Sequence, residues 1–140
     1  MRLRVAFLVV VAIVGAVGIG AAQPAAPSVF VAYFWHARPD HEQEYSDYIR
    51  TVAEPIDEEA RRAGAFIEVH TVQPAPDAKG DWTHLRIFRV KDAAAAKALG
   101  DALDAATARV VPDEARRNAN KARAATLRDF VREEIWTELR

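Results

Sequence analysis

Residues 66–90 constrain the fold more than any other part of the chain. Two runs rich in β-branched and aromatic residues, 66–72 and 82–90, flank a segment that contains prolines, aspartates and a glycine. This pattern predicts two antiparallel strands joined by a loop too long for a tight turn. Because side chains alternate between the faces of a strand, one predicted face is aliphatic and the other mixes aromatic with ionisable groups. The aliphatic face holds Ile67, Val69, Leu85 and Ile87, and the mixed face holds Phe66, Glu68, His70, Trp82, His84, Arg86 and Phe88.

The mixed face suggests a register for the two strands. With Val72 opposite Trp82, side chains of matching chemistry face each other, and such cross-strand pairs favour a register. A slip by two residues would change the partners but leave each side chain on its predicted face. The predicted pairs are His70 with His84, Glu68 with Arg86, and Phe66 with Phe88.

The first 22 residues have the pattern of a secretory signal peptide. Arg2 and Arg4 precede an apolar stretch at 5–17, and small residues at 20–22 resemble a cleavage site before Gln23. An uncleaved membrane anchor is the alternative, although the apolar stretch is short for a span of ~20 residues. The sequence therefore predicts a periplasmic or secreted protein that touches a membrane only if this segment is retained. A flexible leader at 23–28 and a single domain at 29–140 would follow.

Charge and cysteine content exclude several classes of protein. Loss of the two arginines of the signal peptide would leave 17 basic against 20 acidic side chains. That balance, without a basic stripe interleaved with aromatic residues, argues against a nucleic-acid partner. The chain has no cysteine, so neither a disulfide framework nor a lipid-modified cysteine is expected.

A strand and a broken helix are predicted before residue 66. Residues 29–37 are apolar on both faces, as in an inner strand of a sheet. Asp40 is placed to cap a helix that Pro55 kinks or restarts, and Gly64 is placed to end it.

The first strand adds side chains to the two predicted faces. Matching aliphatic to aliphatic residues puts Val29 and Val31 on the aliphatic face, so the mixed face gains aromatic and imidazole groups. Those groups are Phe30, Phe34 and His36. The opposite parity, which a β-bulge would produce, puts Tyr33 and Trp35 there instead.

Helical signals dominate after residue 90. Asp92 is placed to cap an alanine-rich helix, and Asp113 to cap a last segment that runs toward Leu139. We predict that this last segment is helical, with a short edge strand at 134–139 as the alternative. The order of elements predicts an α+β domain with a ferredoxin-like antiparallel sheet, helices on one face and an extra C-terminal helix. The other face of such a sheet is bare, and a second copy of the chain would cover it most simply.

The junction between the first strand and the first helix resembles a known family. The stretch from Ala37 through Arg38, Pro39 and Asp40 to Tyr45 is similar to that junction in the dimeric α/β-barrel superfamily, which includes antibiotic-biosynthesis-monooxygenase-like domains. Asp40 departs from the family pattern, which usually has glycine there. The resemblance extends by element order over 29–106 and implies a homodimer whose two sheets close a barrel around small pockets. Members include cofactor-free oxygenases, haem-degrading and haem-dependent enzymes, isomerases and domains of no known activity, so the fold alone selects no reaction.

The histidines admit three interpretations. His70 and His84 could share a metal or haem iron with Glu68 or His36, one of them could be a general base, or both could fill a dimer interface. Because cysteine and an H-x-x-x-H spacing are absent, we predict no metal ligand and no cofactor. Glu68 and Arg86 could hold a substrate carboxylate or neutralise each other as an ion pair.

Aromatic residues offer a second place for a ligand. They could line a pocket between the first strand and the first helix, or could simply belong to the core. These residues are Tyr33, Phe34, Trp35, Tyr45 and Tyr48.

The predicted function is binding of a small molecule on the mixed sheet face of a homodimer, with cofactor-free oxygenase or isomerase chemistry as the reaction classes considered. His70 or His84 would accept a proton, Arg86 would hold an anion, and Glu68 would orient a histidine. The predicted ligand contacts are His36, Phe34, Phe66, Trp82 and Phe88.

Two other functions are kept open. One is a non-enzymatic interaction module that uses the sheet face and a C-terminal helical stripe. The other, which has less support, is haem or metal binding. The stripe consists of Leu127, Phe130, Val131 and Ile135.

Overall fold

The computed structural model of the protein describes residues 27–78 and 80–139. The predicted signal peptide at 1–22 and the leader up to residue 26 lie outside the described residues. Within the described ranges, no helix is long and apolar enough to cross a membrane. The elements are β1 (Val29–Ala37), α1 (Glu42–Tyr48), a π-helical turn (Ile49–Ala53), α2 (Glu54–Arg62), β2 (Glu68–Val72), β3 (His84–Val90), α3 (Ala93–Val110), α4 (Glu114–Leu127) and β4 (Arg128–Thr137).

The strands form one antiparallel sheet in the order β2-β3-β1-β4. This strand order, with helices packed on the sheet, confirms the predicted ferredoxin-like α+β fold. The inner strand β1 is apolar on both faces because it lies between β3 and β4, as expected for a central position.

The helical prediction for 128–139 is wrong. Residues 128–137 form β4, which pairs with β1 over its whole length. The alternative prediction of a strand at 134–139 gave the right type of element but placed its start six residues too late in the sequence. The spacing of Phe130, Val131 and Ile135 fits a helix as well as a strand with a bulge. Pairing decides between them, because without β4 the polar backbone groups on one side of β1 would lack partners. The extra helix that the sequence predicts is α4, and it ends at Leu127.

Local signals placed most helix ends correctly. The Asp92 carboxylate accepts a hydrogen bond from the Ala95 amide at 2.8 Å, and Asp113 accepts one from the Arg116 amide at 2.6 Å. Gly64 follows α2 with φ of 81°, a left-handed conformation that favours glycine. Asp40 is not the predicted cap: it has a positive φ of 64°, and the next residue takes the cap position.

The predicted restart of the helix at Pro55 is confirmed to within one residue, because α2 begins at Glu54 with the proline in its first turn. The chain passes from α1 into α2 through the π-helical turn, which ends just before the proline. A proline has no N–H to donate to the carbonyl of the residue four positions before it. The wider π-helical turn that precedes Pro55 accommodates this missing donor.

The register of β2 and β3 corrects the predicted faces. Val72 lies opposite Leu85 rather than Trp82, which is a shift of three residues. An odd shift exchanges the faces of one strand relative to the other. Thr83 is held by β1, because its amide donates to the Trp35 carbonyl at 2.9 Å and its hydroxyl accepts from the Ala37 amide at 2.7 Å. The strand β3 begins at the next residue, His84.

The two faces of the sheet have different surroundings. On the helix-covered face, α2 and α3 pack on side chains of β1 and β3. Its buried core comprises Val29, Val31, Phe66, Phe88 and Val90 with Ala60 of α2 and Ala96, Leu99 and Ala106 of α3. On the opposite face, which we call the open face, a smaller cluster forms around Ala32, Phe34 and Leu85.

Candidate ligand-binding site

The predicted mixed face does not exist as one surface. Arg86 lies opposite Tyr33, and His84 lies opposite Trp35, on the helix-covered face. This is the alternative assignment of β1, in which Tyr33 and Trp35 share a face with Arg86 and His84. Phe88 is 1% exposed and packs edge-on against Phe66, at 5.0 Å between ring centroids, also beneath the helices. The remaining predicted site residues belong to the open face or its rim: Glu68, His70, Phe34, His36 and Trp82.

His70 and His84 lie on opposite faces of the sheet. His70 stands opposite Ile87 on the open face, where it is exposed, with its Nε2 atom 3.9 Å from the Glu68 carboxylate. His84 is 1% exposed beneath α1. The two imidazoles of one protomer therefore cannot share a metal ion. The described part of the chain contains no group of three histidine or acidic side chains placed to hold one.

The His84 imidazole is held by three polar side chains. Its Nε2 atom lies 3.0 Å from Ser46 Oγ and 3.1 Å from Gln73 Nε2, and its Nδ1 atom lies 2.9 Å from Thr83 Oγ1. Burial lowers the pKa of His84, and Glu42 partly opposes that change. His84 is thus a neutral, hydrogen-bonded core residue at neutral pH, and its ring packs edge-on against Tyr45.

The predicted Glu68–Arg86 pair is replaced by two separate ion pairs. Glu68 accepts a hydrogen bond from Arg89 at 2.6 Å on the open face. Arg86 instead donates to Asp57, which lies on α2 and is 5% exposed. Burial raises the pKa of the Asp57 carboxyl, and the neighbouring Arg86 guanidinium opposes that rise.

A cavity of about 330 Å³ lies between the helix-covered face and the helices. Alternate residues of β1 and β3 form its floor, and the first helical segments form a wall, because residues three apart on α1 share a side. Five of the twelve lining residues are aromatic, two are arginines and one is an exposed acid. The lining residues are Tyr33 and Trp35 of β1, Tyr45 and Tyr48 of α1, Ile49 and Ala53 of the π-helical turn, Arg86 and Phe88 of β3, Gly100, Leu103 and Asp104 of α3, and Arg128 of β4.

Arg128 is the most unusual group in this cavity. Its guanidinium carbon lies 3.3 Å from the centroid of the Trp35 ring and 5.3 Å from that of the Tyr45 ring. Its Nε and Nη1 atoms are buried without a hydrogen-bond partner among the described residues, and Nε of Arg86 is in the same state. Burial lowers the pKa of Arg128, but a guanidinium remains charged at neutral pH.

The tyrosines of the cavity are neutral. Burial raises the pKa of Tyr45 to about 12, although the Arg128 charge acts in the opposite direction. Burial also raises the pKa values of Tyr33 and Tyr48. The cavity therefore offers flat apolar walls, phenol hydroxyls and two cationic guanidinium groups. Such a lining suits an organic anion, because arginine pairs with carboxylates and similar groups and stacks on aromatic rings.

Sequence reasoning found part of this cavity. Four of the five aromatic residues proposed for a pocket between the first strand and first helix do line it, and Phe34 does not. Arg128 was missed, since its position depends on where α4 gives way to β4. Asp57 was also missed, although an acid spaced four residues after Ala53 and three before Ala60 lies on the apolar side of a helix.

The open face mixes apolar side chains with ion pairs and is only partly covered. Trp136 is 37% exposed and Val72 39% exposed, while Phe34 is buried under neighbouring side chains. Arg132 covers Phe34 with its guanidinium carbon 3.8 Å from the ring centroid, and its nitrogens donate to Glu134 and Asp81.

Comparison with solved structures supports the fold. A dimeric ferredoxin-like protein from an uncultured marine organism is similar with a TM-score of 0.53 and 12% sequence identity, over 81% of this chain and 97% of that one. HapK from Hahella chejuensis is similar with a TM-score of 0.51 and 12% identity, over 79% of this chain and 92% of that one. No family model and no curated protein matches the sequence. The similarity to these solved structures thus confirms the ferredoxin-like fold.

Proposed function

We propose that the protein is an exported homodimer that binds a small organic anion with a flat aromatic body in the cavity between the helices and the sheet. The observation that carries this proposal is Arg128, a cation on the Trp35 ring with two buried nitrogens that lack hydrogen-bond partners among the described residues. Buried polar groups are normally paired. An anionic ligand would supply the missing acceptor.

The aromatic walls support a flat ligand. Aromatic rings pair edge-on or in offset stacks, so the rings that line the cavity can contact a flat aromatic ligand. Trp35 and Tyr45 lie beside the Arg128 guanidinium, and Phe88 lies beside that of Arg86. A volume of about 330 Å³ falls within the range of small-molecule sites, ~300–1,000 Å³.

The lining of the cavity supports ligand binding better than it supports catalysis. Arg86, the predicted anion partner, lines the cavity, but the predicted proton acceptors do not: His70 lies on the open face, and His84 makes hydrogen bonds outside the cavity. An oxygenase or isomerase reaction would need a proton acceptor within hydrogen-bond reach of the ligand. We therefore propose a binding protein.

The proposed dimer uses the open face. Partly exposed Trp136 and Val72 lie there beside the Phe34 cluster, and a second copy of the same face would cover them. The similar solved protein is itself described as dimeric. Export is proposed from the N-terminal pattern, and sequencing of the mature N-terminus in a periplasmic or secreted fraction would test it: Gln23 is the expected first residue.

The alternative function, an interaction module, required a helical stripe at the C-terminus, and the structure does not form that stripe. Three of the four stripe residues belong to β4, and the remaining one, Leu127, is 1% exposed in the core.

Calorimetric titration tests the ligand proposal. We expect wild-type protein to bind benzenesulfonate, a flat aromatic anion, and Arg128→Met to reduce the affinity at least ~10-fold, which corresponds to ~1.4 kcal/mol. The matched control is Arg132→Met, which removes an arginine stacked on Phe34 of the open face and should leave the affinity unchanged. Equal affinity of wild type and Arg128→Met would refute the proposal.

A further inference from the structure

We infer that the cavity selects ligands that carry a single negative charge. This inference rests on the proposed function, since it names the charge class of the anion bound there. It comes from the charges buried around the cavity and from the one carboxylate that neutralises part of them.

Two cationic groups line the cavity, but only one of them is free. The Arg86 guanidinium is paired with Asp57, and both side chains are largely buried, at 12% and 7% exposure. Arg128 has no carboxylate partner among the described residues, and its polar neighbour is the neutral Tyr45 hydroxyl. A buried carboxylate next to a buried guanidinium cancels its charge at short range. The pair therefore contributes hydrogen-bonding nitrogens without net charge, and Arg128 contributes one positive charge.

The other titratable groups of the cavity do not change this balance. Tyr33, Tyr45 and Tyr48 are neutral because burial raises the pKa of each phenol. Asp104 lies on an exposed turn of α3, where water screens its charge. His84 packs against Tyr45 but does not line the cavity, and Glu42 is exposed. The buried surroundings of a ligand thus carry one net positive charge.

A ligand with one negative charge makes this region neutral. A dianion would leave a buried negative charge without compensation, and a neutral molecule would leave the Arg128 charge uncompensated. Both cases carry an electrostatic penalty, because uncompensated charges are costly away from water. Asp57 contributes to this selection without lining the cavity itself, so it acts as a specificity-determining residue through Arg86.

Three probes of nearly the same shape separate these cases. Benzenesulfonamide is neutral, benzenesulfonate carries one negative charge, and phenylphosphonate carries two at a pH above its second ionisation. Wild-type protein should bind benzenesulfonate about 10-fold or more tightly than either of the others, the ratio that corresponds to ~1.4 kcal/mol.

Two variants change the buried charge in opposite directions. Asp57→Asn keeps an oxygen that can accept from Arg86 but removes the negative charge, so the preference should move about 10-fold toward phenylphosphonate. Arg128→Met removes the free positive charge, so the preference should move toward benzenesulfonamide. Glu68→Gln is the matched control for Asp57→Asn, because it removes the carboxylate of the Arg89 pair on the open face and should leave the ratios unchanged.

The possible outcomes separate this inference from the function on which it rests. If wild-type protein binds none of the three probes, the anion site itself is refuted. If it binds phenylphosphonate as tightly as benzenesulfonate, the anion site stands and selection for a single charge is refuted. If Asp57→Asn does not fold, the wild-type ratios and the shift in Arg128→Met decide the inference.

Discussion

Arg128→Met should stabilise the protein without ligand while it weakens the binding of an anion. In the wild type, two nitrogens of this guanidinium are buried without hydrogen-bond partners among the described residues. Each unpaired buried donor costs ~1–3 kcal/mol, or ~4 kcal/mol for the two together. The cation–π contact between Arg128 and the Trp35 ring offsets ~2 kcal/mol of this cost, because the site is desolvated. Methionine, of similar length and without polar hydrogens, should therefore raise the free energy of unfolding by about 2 kcal/mol.

Equilibrium urea unfolding followed by circular dichroism measures this change, because it does not depend on the fluorescence of the neighbouring tryptophan. Arg132→Met is the control, since Arg132 also stacks on an aromatic ring but donates to Glu134 and Asp81. Its replacement should lower stability, not raise it. A loss of stability in Arg128→Met that equals or exceeds the loss in Arg132→Met would refute the reasoning, because it would mean that the Arg128 nitrogens are satisfied in the free protein.

Three further perturbations test other parts of the structure. Gly64→Ala should lower the free energy of unfolding by ~1 kcal/mol because of the φ of 81°, whereas Gly100→Ala, within α3 and with no atom within 4 Å of the added Cβ, should raise it by ~0.5–1 kcal/mol; an equal sign for both in urea unfolding would contradict this. Because burial lowers the pKa of His84, the unfolded state binds a proton more readily than the folded state does. The contribution of His84 to the free energy of unfolding should therefore be fully present above pH ~6.5 and decrease as the pH falls below that value. His84→Gln should show a weaker fall over that range in thermal melts, and an unchanged pH profile would count against the buried neutral imidazole. Trp136→Glu on the open face should shift the protein from dimer to monomer in light scattering, while Ile135→Glu, exposed on the same strand but on the other face, should not; dissociation by both variants would speak against the open face as the interface.

Periodic and capping signals were sufficient for most of the fold. The strand pair at 66–90, the caps at Asp92 and Asp113 and the glycine end of α2 depend on short-range chemistry that a sequence displays directly. The ferredoxin-like arrangement followed from the order of these elements, although β4 was expected as a helix. Its sequence is compatible with either, and only the unpaired side of β1 selects the strand.

The site was harder to predict, because it depends on one register. Val72 pairs with Leu85 rather than Trp82, and nothing in the alternation of residues 82–90 reveals that register. The resulting odd shift sends Arg86 to the helix-covered face and leaves His70 on the open face. The position of Arg128 could not be predicted for a related reason. Its guanidinium lies over Trp35 because of the helix-to-strand transition and the bulge between Phe34 and Trp35 in the β1–β4 ladder.

A crystal structure of the protein with para-bromobenzenesulfonate would test the ligand site most directly, because the anomalous signal of bromine locates the probe independently of the protein density. We expect the bromine among the aromatic walls between the helices and the sheet, with the sulfonate accepting hydrogen bonds from Arg128. A probe bound only on the open face, or a cavity that stays empty while the probe is in excess, would contradict the assignment of the cavity as an anion site.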